Sequence, residues 1–155
     1  VWGEPRSTLD IDITIQARKD DTKKLIEHLK KLCYPRVTDP GEFVRETSVL
    51  PMVTEDEVRI DIIFAGLPFE LEAIRRAVDR EIRGIPVRFI TPEDLIVHKI
   101  ISERQKDWKD VRGIVTRQKG KLDIKYLDKH IKELADMLER PEMWNSWFKW
   151  KEEIL

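Results

Sequence analysis

From Leu9 to Gln16 the chain alternates without a break: Leu9, Ile11, Ile13 and Ile15 fall on one side, Asp10, Asp12, Thr14 and Gln16 on the other. No helix can use that pattern. Period-two alternation over eight residues makes a β-strand with one face in a core. Asp10 and Asp12 then stand on the same open face, roughly 6 to 7 Å apart at their Cα atoms given the rise of a strand. Two readings follow. The strand is half-exposed and its outer face happens to carry two acids, or the acids hold a small hard cation that also binds phosphate oxygens. Magnesium prefers one or two carboxylates plus substrate phosphates to a cage made wholly of protein.

A second stretch bears on the choice. Val58, Ile60, Ile62 and Phe64 alternate with Arg59 and Asp61, which predicts another strand with an acid on its polar face. Set beside the first strand, it would bring Asp61 to Asp10 and Asp12. Three carboxylates so placed repel one another unless a divalent cation neutralises them, which argues for metal. The bland alternative for Asp61 is a charge pair with Arg59 or a neighbour.

The rest of the chain predicts a mixed sheet with helices packed on it, followed by a helical C-terminal part. Asp20-Asp21-Thr22 offers caps for a helix with Leu25, Ile26, Leu29, Leu32 and Cys33 on one side, ended by Tyr34-Pro35. Residues 43–53 read as a strand, and residues 69–82 as a helix stopped by Gly84. Residues 85–90 read as an edge strand, where Pro86 is tolerable. Thr91-Pro92-Glu93-Asp94 is the cleanest helix start: an N-cap Thr, Pro at the first position and two acids in the first turn. Helices over about 92–104 and 107–118 follow, then one with Leu127, Ile131, Leu134 and Leu138 in register. Beyond Pro141 comes an amphipathic segment with Trp144, Trp147, Phe148 and Trp150. We expect one domain of α/β (α+β) class: an α/β core over 1–90 and a helical part over 91–155.

Composition narrows the function classes. Charged residues make up 38% and hydrophobic ones 41%, which suits a folded, heavily charged chain. The net charge of −1 does not announce a nucleic-acid binder. Locally, Lys99 to Lys121 holds eight Lys or Arg against three acids, either a solvated helix face or a surface for phosphate or RNA. The single cysteine, Cys33, excludes an internal disulfide and fits a reducing, cytoplasmic setting. No apolar run is long enough to span a bilayer. His28, His98 and His130 lack metal-ligand spacing and read as structural.

Arg6-Ser-Thr-Leu-Asp-Ile-Asp-Ile13, the later Ile60-Asp61-Ile62, Thr91-Pro-Glu-Asp-Leu-Ile-Val-His-Lys99, Arg104 and the Asp107/Asp110 pair together resemble the polymerase-beta-type nucleotidyltransferase superfamily. They are most similar to its AbiE-type toxin and minimal nucleotidyltransferase branch, over most of residues 1–118. The resemblance implies transfer of a nucleoside monophosphate from an NTP to a hydroxyl, with an RNA 3′ end as acceptor. It implies magnesium or manganese held by Asp10, Asp12 and Asp61. Arg6, Ser7, Thr8, Lys99, Arg104 and Asp107 would bind the nucleotide, and a cognate antitoxin protein is an implied partner. The chain departs from the pattern in one respect. The family carries a Gly-Gly or Gly-Ser turn upstream of the acidic strand, whereas here only Gly3 precedes the acids. We therefore expect an N-terminal strand or helix to be missing from residues 1–155, weak binding of magnesium–NTP by this stretch, and apolar surface left uncovered.

Other readings remain open. A non-catalytic relative would bind nucleotide or a partner, and a metal-dependent nuclease would use the same acids. Lys99 either pairs with Glu103 at i+4 or lays its stem along the core and reaches a phosphate. Arg6 either holds phosphate or pairs with Glu4. The C-terminal aromatics form a core seam or partner surface, or else stack on bases.

Overall fold

The computed structural model describes residues 2, 3 and 10–153, so Arg6, Ser7 and Thr8 lie outside the described residues. The fold is mixed α+β, with seven α-helices and six strands among the described residues. The chain divides into two compact units, residues 7–75 and residues 76–155 together with the first six.

The N-terminal unit runs β1 (Asp10–Ile15), a 3-10 turn (Lys19–Asp21), α1 (Thr22–Leu29), β2 (Tyr34–Pro35), α2 (Pro40–Thr47), β3 (Val49–Val53), β4 (Arg59–Phe64) and the start of α3 (Pro68–Arg76). Its strands form one sheet in the order β1-β4-β3-β2, with β1 parallel to β4 and the other pairs antiparallel. The apolar face carries Leu50, Met52, Ile62 and Phe64, which cluster with Val44 of α2 and Cys33. Leu25, Ile26 and Leu29 of α1 pack against that cluster from its margin. The two alternating stretches are thus strands, as their period requires.

β1 lies at the sheet edge, and this changes what its alternation buries. Ile15 reaches the core cluster, but Ile11 is 48% and Ile13 42% exposed. A period-two pattern tells which side is apolar; it does not tell how far along the strand the covering helices extend.

Three local expectations are corrected. Residues 43–47, read as the start of a strand, belong instead to helix α2: Asp39 caps it by accepting from Glu42 N at 2.9 Å, Pro40 takes the first turn, and Ser48 at φ 62° ends it. The strand begins only at Val49. The helix expected to reach residue 82 stops at Arg76, and Val78–Ile82 instead forms β5 of a hairpin with β6 (Ile85–Phe89). Arg83 and Gly84 make its two-residue turn, both with positive φ (52° and 82°), the geometry that matches strand twist. At α1, Asp21 makes no side-chain cap and Leu32 lies beyond the helix, 69% exposed.

The C-terminal unit contains that hairpin and α4 (Pro92–Ile100), α5 (Gln105–Arg117), α6 (Ile124–Met137) and α7 (Pro141–Glu152). Thr91 caps α4 as its sequence demands, accepting from Asp94 N at 3.1 Å. The helices pack α4 on α5 and α6, and α7 on α5 and α6. Ile96, Ile100, Val111, Ile114, Leu127, Ile131, Met143 and Trp147 are fully or nearly fully buried. Trp2 joins this unit through its indole N–H, which donates to Ile90 O at 2.7 Å. No helix among the described residues is long and apolar enough to cross a membrane.

Candidate functional site

The register of the parallel pair decides where the N-terminal acids stand. Asp12 is the partner of Asp61, and Asp10 that of Arg59. Neighbouring strands run about 4.8 Å apart, and register partners share a face, so Asp10, Asp12 and Asp61 lie together on the side away from the apolar cluster. Asp10 and Asp12 are exposed, and the Asp61 side chain is 36% exposed. The same face carries Arg59.

Sequence reasoning missed Arg36 altogether. Its Nη2 donates to Asp61 Oδ1 at 2.7 Å while Nε donates to Met52 O at 3.1 Å, so the guanidinium is braced on β3 and aimed at the acid. No local signal marks this arginine, because its carboxylate partner lies 25 residues on. The pairing of Asp61 is therefore with Arg36. Part of the positive charge that three carboxylates require comes from this arginine.

Among the described residues no group of three or more His, Cys, Asp or Glu side chains is arranged to hold a metal ion. The donor chemistry still suits a hard cation. It is all carboxylate oxygen, on an exposed face, with two acids at alternate positions of one strand, which is as many as magnesium takes when substrate phosphates complete its shell. Asp10 and Asp12 are the two residues that could hold such an ion, and Asp61, tied to Arg36, stands next to them.

The candidates of the C-terminal unit form a different kind of arrangement. Lys99, in the last turn of α4, donates from Nζ to Asp107 Oδ1 at 2.9 Å and to Asp110 Oδ2 at 2.8 Å. Its partners are thus on α5 rather than Glu103. Asp107 is 4% exposed and also accepts from Ser102 Oγ (2.7 Å) and Arg104 Nε (2.7 Å). Burial alone would raise its carboxyl. The hydrogen bonds from Ser102 and Lys99 and the charges of Lys99 and Arg104 outweigh that, and hold it down at about 2. A short link between α4 and α5 makes this possible: Ser102, Arg104 and Asp107 all fall within one turn of the break.

A second buried acid was not foreseen as anything but a first-turn residue. Asp94 is 1% exposed and receives Thr91 Oγ1 (2.6 Å), Tyr126 OH (2.6 Å) and Arg76 Nε (3.0 Å), while the Arg76 guanidinium lies over the Tyr126 ring at 3.8 Å. Glu93 beside it accepts from Asp123 N at 3.0 Å. These bonds fasten the start of α4 to α6 and to Arg76, a structural use of acids that sit where a helix N-terminus favours them.

Of the aromatic segment, Trp147 is fully buried and donates to Asp128 Oδ1 at 2.7 Å. Trp150 meets Trp108 edge to face at 5.9 Å. The seam reading therefore holds for Trp147, whose indole nitrogen finds its partner inside the helical unit.

No curated protein matches this chain. The strand pair with its shared acidic face agrees with one further finding: the family model described as "Nucleotidyltransferase of unknown function (DUF6036)" matches residues 3–155, and the chain belongs to that family.

Proposed function

We propose that this protein transfers a nucleoside monophosphate from an NTP to a hydroxyl acceptor, with an RNA 3′ end as that acceptor. The observation that carries the reading is the β1/β4 register, which sets Asp12 beside Asp61 with Asp10 two residues along the same exposed face. Family membership supplies the reaction class. Asp10 and Asp12 would hold magnesium, or manganese, and the bound ion would neutralise charge on the phosphates during transfer. Asp61 would accept a proton from the attacking hydroxyl. Arg36, braced on Met52 O, holds that carboxylate in position.

Lys99 and Arg104 are proposed to bind nucleotide phosphate, with Asp107 holding both cations in place. Arg6, Ser7 and Thr8 are proposed as further phosphate donors. The reading extends to a cytoplasmic toxin of the AbiE-type branch, controlled by a cognate antitoxin, with 1–90 as catalytic core and 91–155 as its helical complement. Incubating the full-length protein with magnesium, each labelled NTP in turn and total RNA tests it. Label should enter RNA with one or more NTPs, and Asp12→Asn should abolish the incorporation. Shortened RNA without incorporation would point to a nuclease instead.

One observation favours a second reading. The Arg36–Asp61 pair is preformed at 2.7 Å, and an acid already satisfied by an arginine suits a relative that binds nucleotide without turning it over. Nucleotide binding with no transfer to any acceptor would select it.

A further inference from the structure

The C-terminal unit has a groove of about 600 Å³ between the α4–α5 link, α5 and α7 that none of the foregoing uses. Its size lies within the range of small-molecule sites, roughly 300–1,000 Å³. Trp108 and Trp150 line it at an interplanar angle of 82°. Trp108 cannot turn freely, because its indole N–H is given to Ser102 O at 2.6 Å. Arg140 is equally fixed: it donates from Nη1 to Ile101 O at 2.6 Å and from Nε to Glu142 at 2.7 Å. Lys109 and Arg112 stand on α5 beside the rings, and Arg112 makes an exposed pair with Glu153 at 3.1 Å. Gln105 and the acids Glu103 and Glu142 complete the lining.

A fixed indole with a second beside it, side chains with cationic heads and carboxylates that can accept from exocyclic amines match the parts of a nucleic-acid strand. A ligand made of phosphate alone would meet two acids and gain nothing from the indoles. Base stacking on aromatics is sequence-tolerant, and basic side chains track the backbone. A duplex hides its base faces and could not use the rings. We propose that this groove binds single-stranded nucleic acid, its bases stacking on Trp108 and Trp150 and its phosphates meeting Lys109 and Arg112. The proposal rests on the transferase reading only in making this strand the acceptor; the binding itself needs neither NTP nor metal.

The test uses fluorescence anisotropy of the full chain with a labelled single-stranded RNA of about eight nucleotides, within the site sizes of single-strand binders. The same sequence as DNA tells which kind of strand is taken. Trp150→Ala should weaken binding roughly tenfold, the scale of one lost stacking contact. The double variant Lys109→Glu/Arg112→Glu, on exposed side chains, should weaken it at least as much and flatten its salt dependence. Trp144→Ala, outside the groove, should change nothing. Failure of both strands to bind, equal affinity in the groove variants, or competition by a mononucleotide as strong as by the oligomer would each overturn the proposal. Groove-dependent binding without nucleotide incorporation would leave the groove standing and remove the transferase reading. Incorporation whose KM for RNA is unmoved by the groove variants would do the reverse.

Discussion

Asp61 and Asp107 are both acids met by basic side chains, yet the two units use them in opposite ways. Asp61 lies on an open sheet face with its side chain about a third exposed and forms an ion pair with Arg36. Asp107 is 4% exposed and takes hydrogen bonds from Lys99, Ser102 and Arg104. A carboxylate that water still reaches can exchange its partner for a ligand at small cost. One that has lost its water depends on its protein donors, and removing any of them leaves charge stranded. The acid of the sheet is thus open to a ligand, and the acid of the helices ties α4 to α5.

The sharpest way to break this contrast is Asp12→Asn. The change keeps shape and removes a charge from an exposed face. Transfer should fall by roughly a hundred- to thousandfold or more, for a loss of several kcal/mol of metal-assisted stabilisation, while the melting temperature holds or rises. Unimpaired turnover would end the assignment of the acidic face.

Asp107→Ala should act on the fold instead. It leaves the Lys99 ammonium without one of its two carboxylates and opens Ser102, and should cost about 3 kcal/mol in urea unfolding, the lower end for breaking a buried pair. Asp107 also predicts a pH dependence. Its folded carboxyl titrates at about 2, below its ordinary value of 3.8. The folded state therefore binds its proton less readily than the unfolded chain, and stability is lost as pH falls. The stabilisation is complete above about pH 4 and disappears towards pH 2. Unfolding free energy followed over that interval should fall less steeply in Asp107→Asn than in the parent.

Lys99→Ala probes both sides at once. A phosphate contact would raise the dissociation constant for NTP roughly tenfold or more, the scale of one charge-assisted hydrogen bond, in calorimetric titration below the variant's melting point. Lowered stability with unchanged affinity would make Lys99 purely a partner of Asp107 and Asp110. The smallest effect should come from Arg36→Ala, worth less than about 1 kcal/mol of stability because the pair is partly exposed. If Arg36 competes with a bound cation for the acidic face, the magnesium concentration for half-maximal activity should also fall in this variant.

How much of this was legible without coordinates depended on how local the cause was. The strands at Asp10–Ile15 and Arg59–Phe64 follow from side-chain alternation, and the start of α4 follows from Thr91-Pro92 and the acids after it. Asp39-Pro40 carried the same kind of signal for α2, overlooked because Val49–Val53 just beyond it is so apolar. The Arg83-Gly84 pair likewise marks a hairpin turn between β-branched residues rather than a helix stop.

The sequence by itself determined which residues face which way within each element, because backbone period and capping are settled within a turn or two of chain. Only the tertiary structure decided that Asp12 stands beside Asp61 and that β1 is an edge strand with Ile11 and Ile13 half uncovered. It also decided that Arg36 reaches Asp61 and that Lys99 turns to Asp107 and Asp110. Register and strand order are set by how whole elements share one core, and a side chain as long as Arg or Lys has several acids within its sequence neighbourhood. Which one it meets is a question of three-dimensional distance, and no periodicity encodes that.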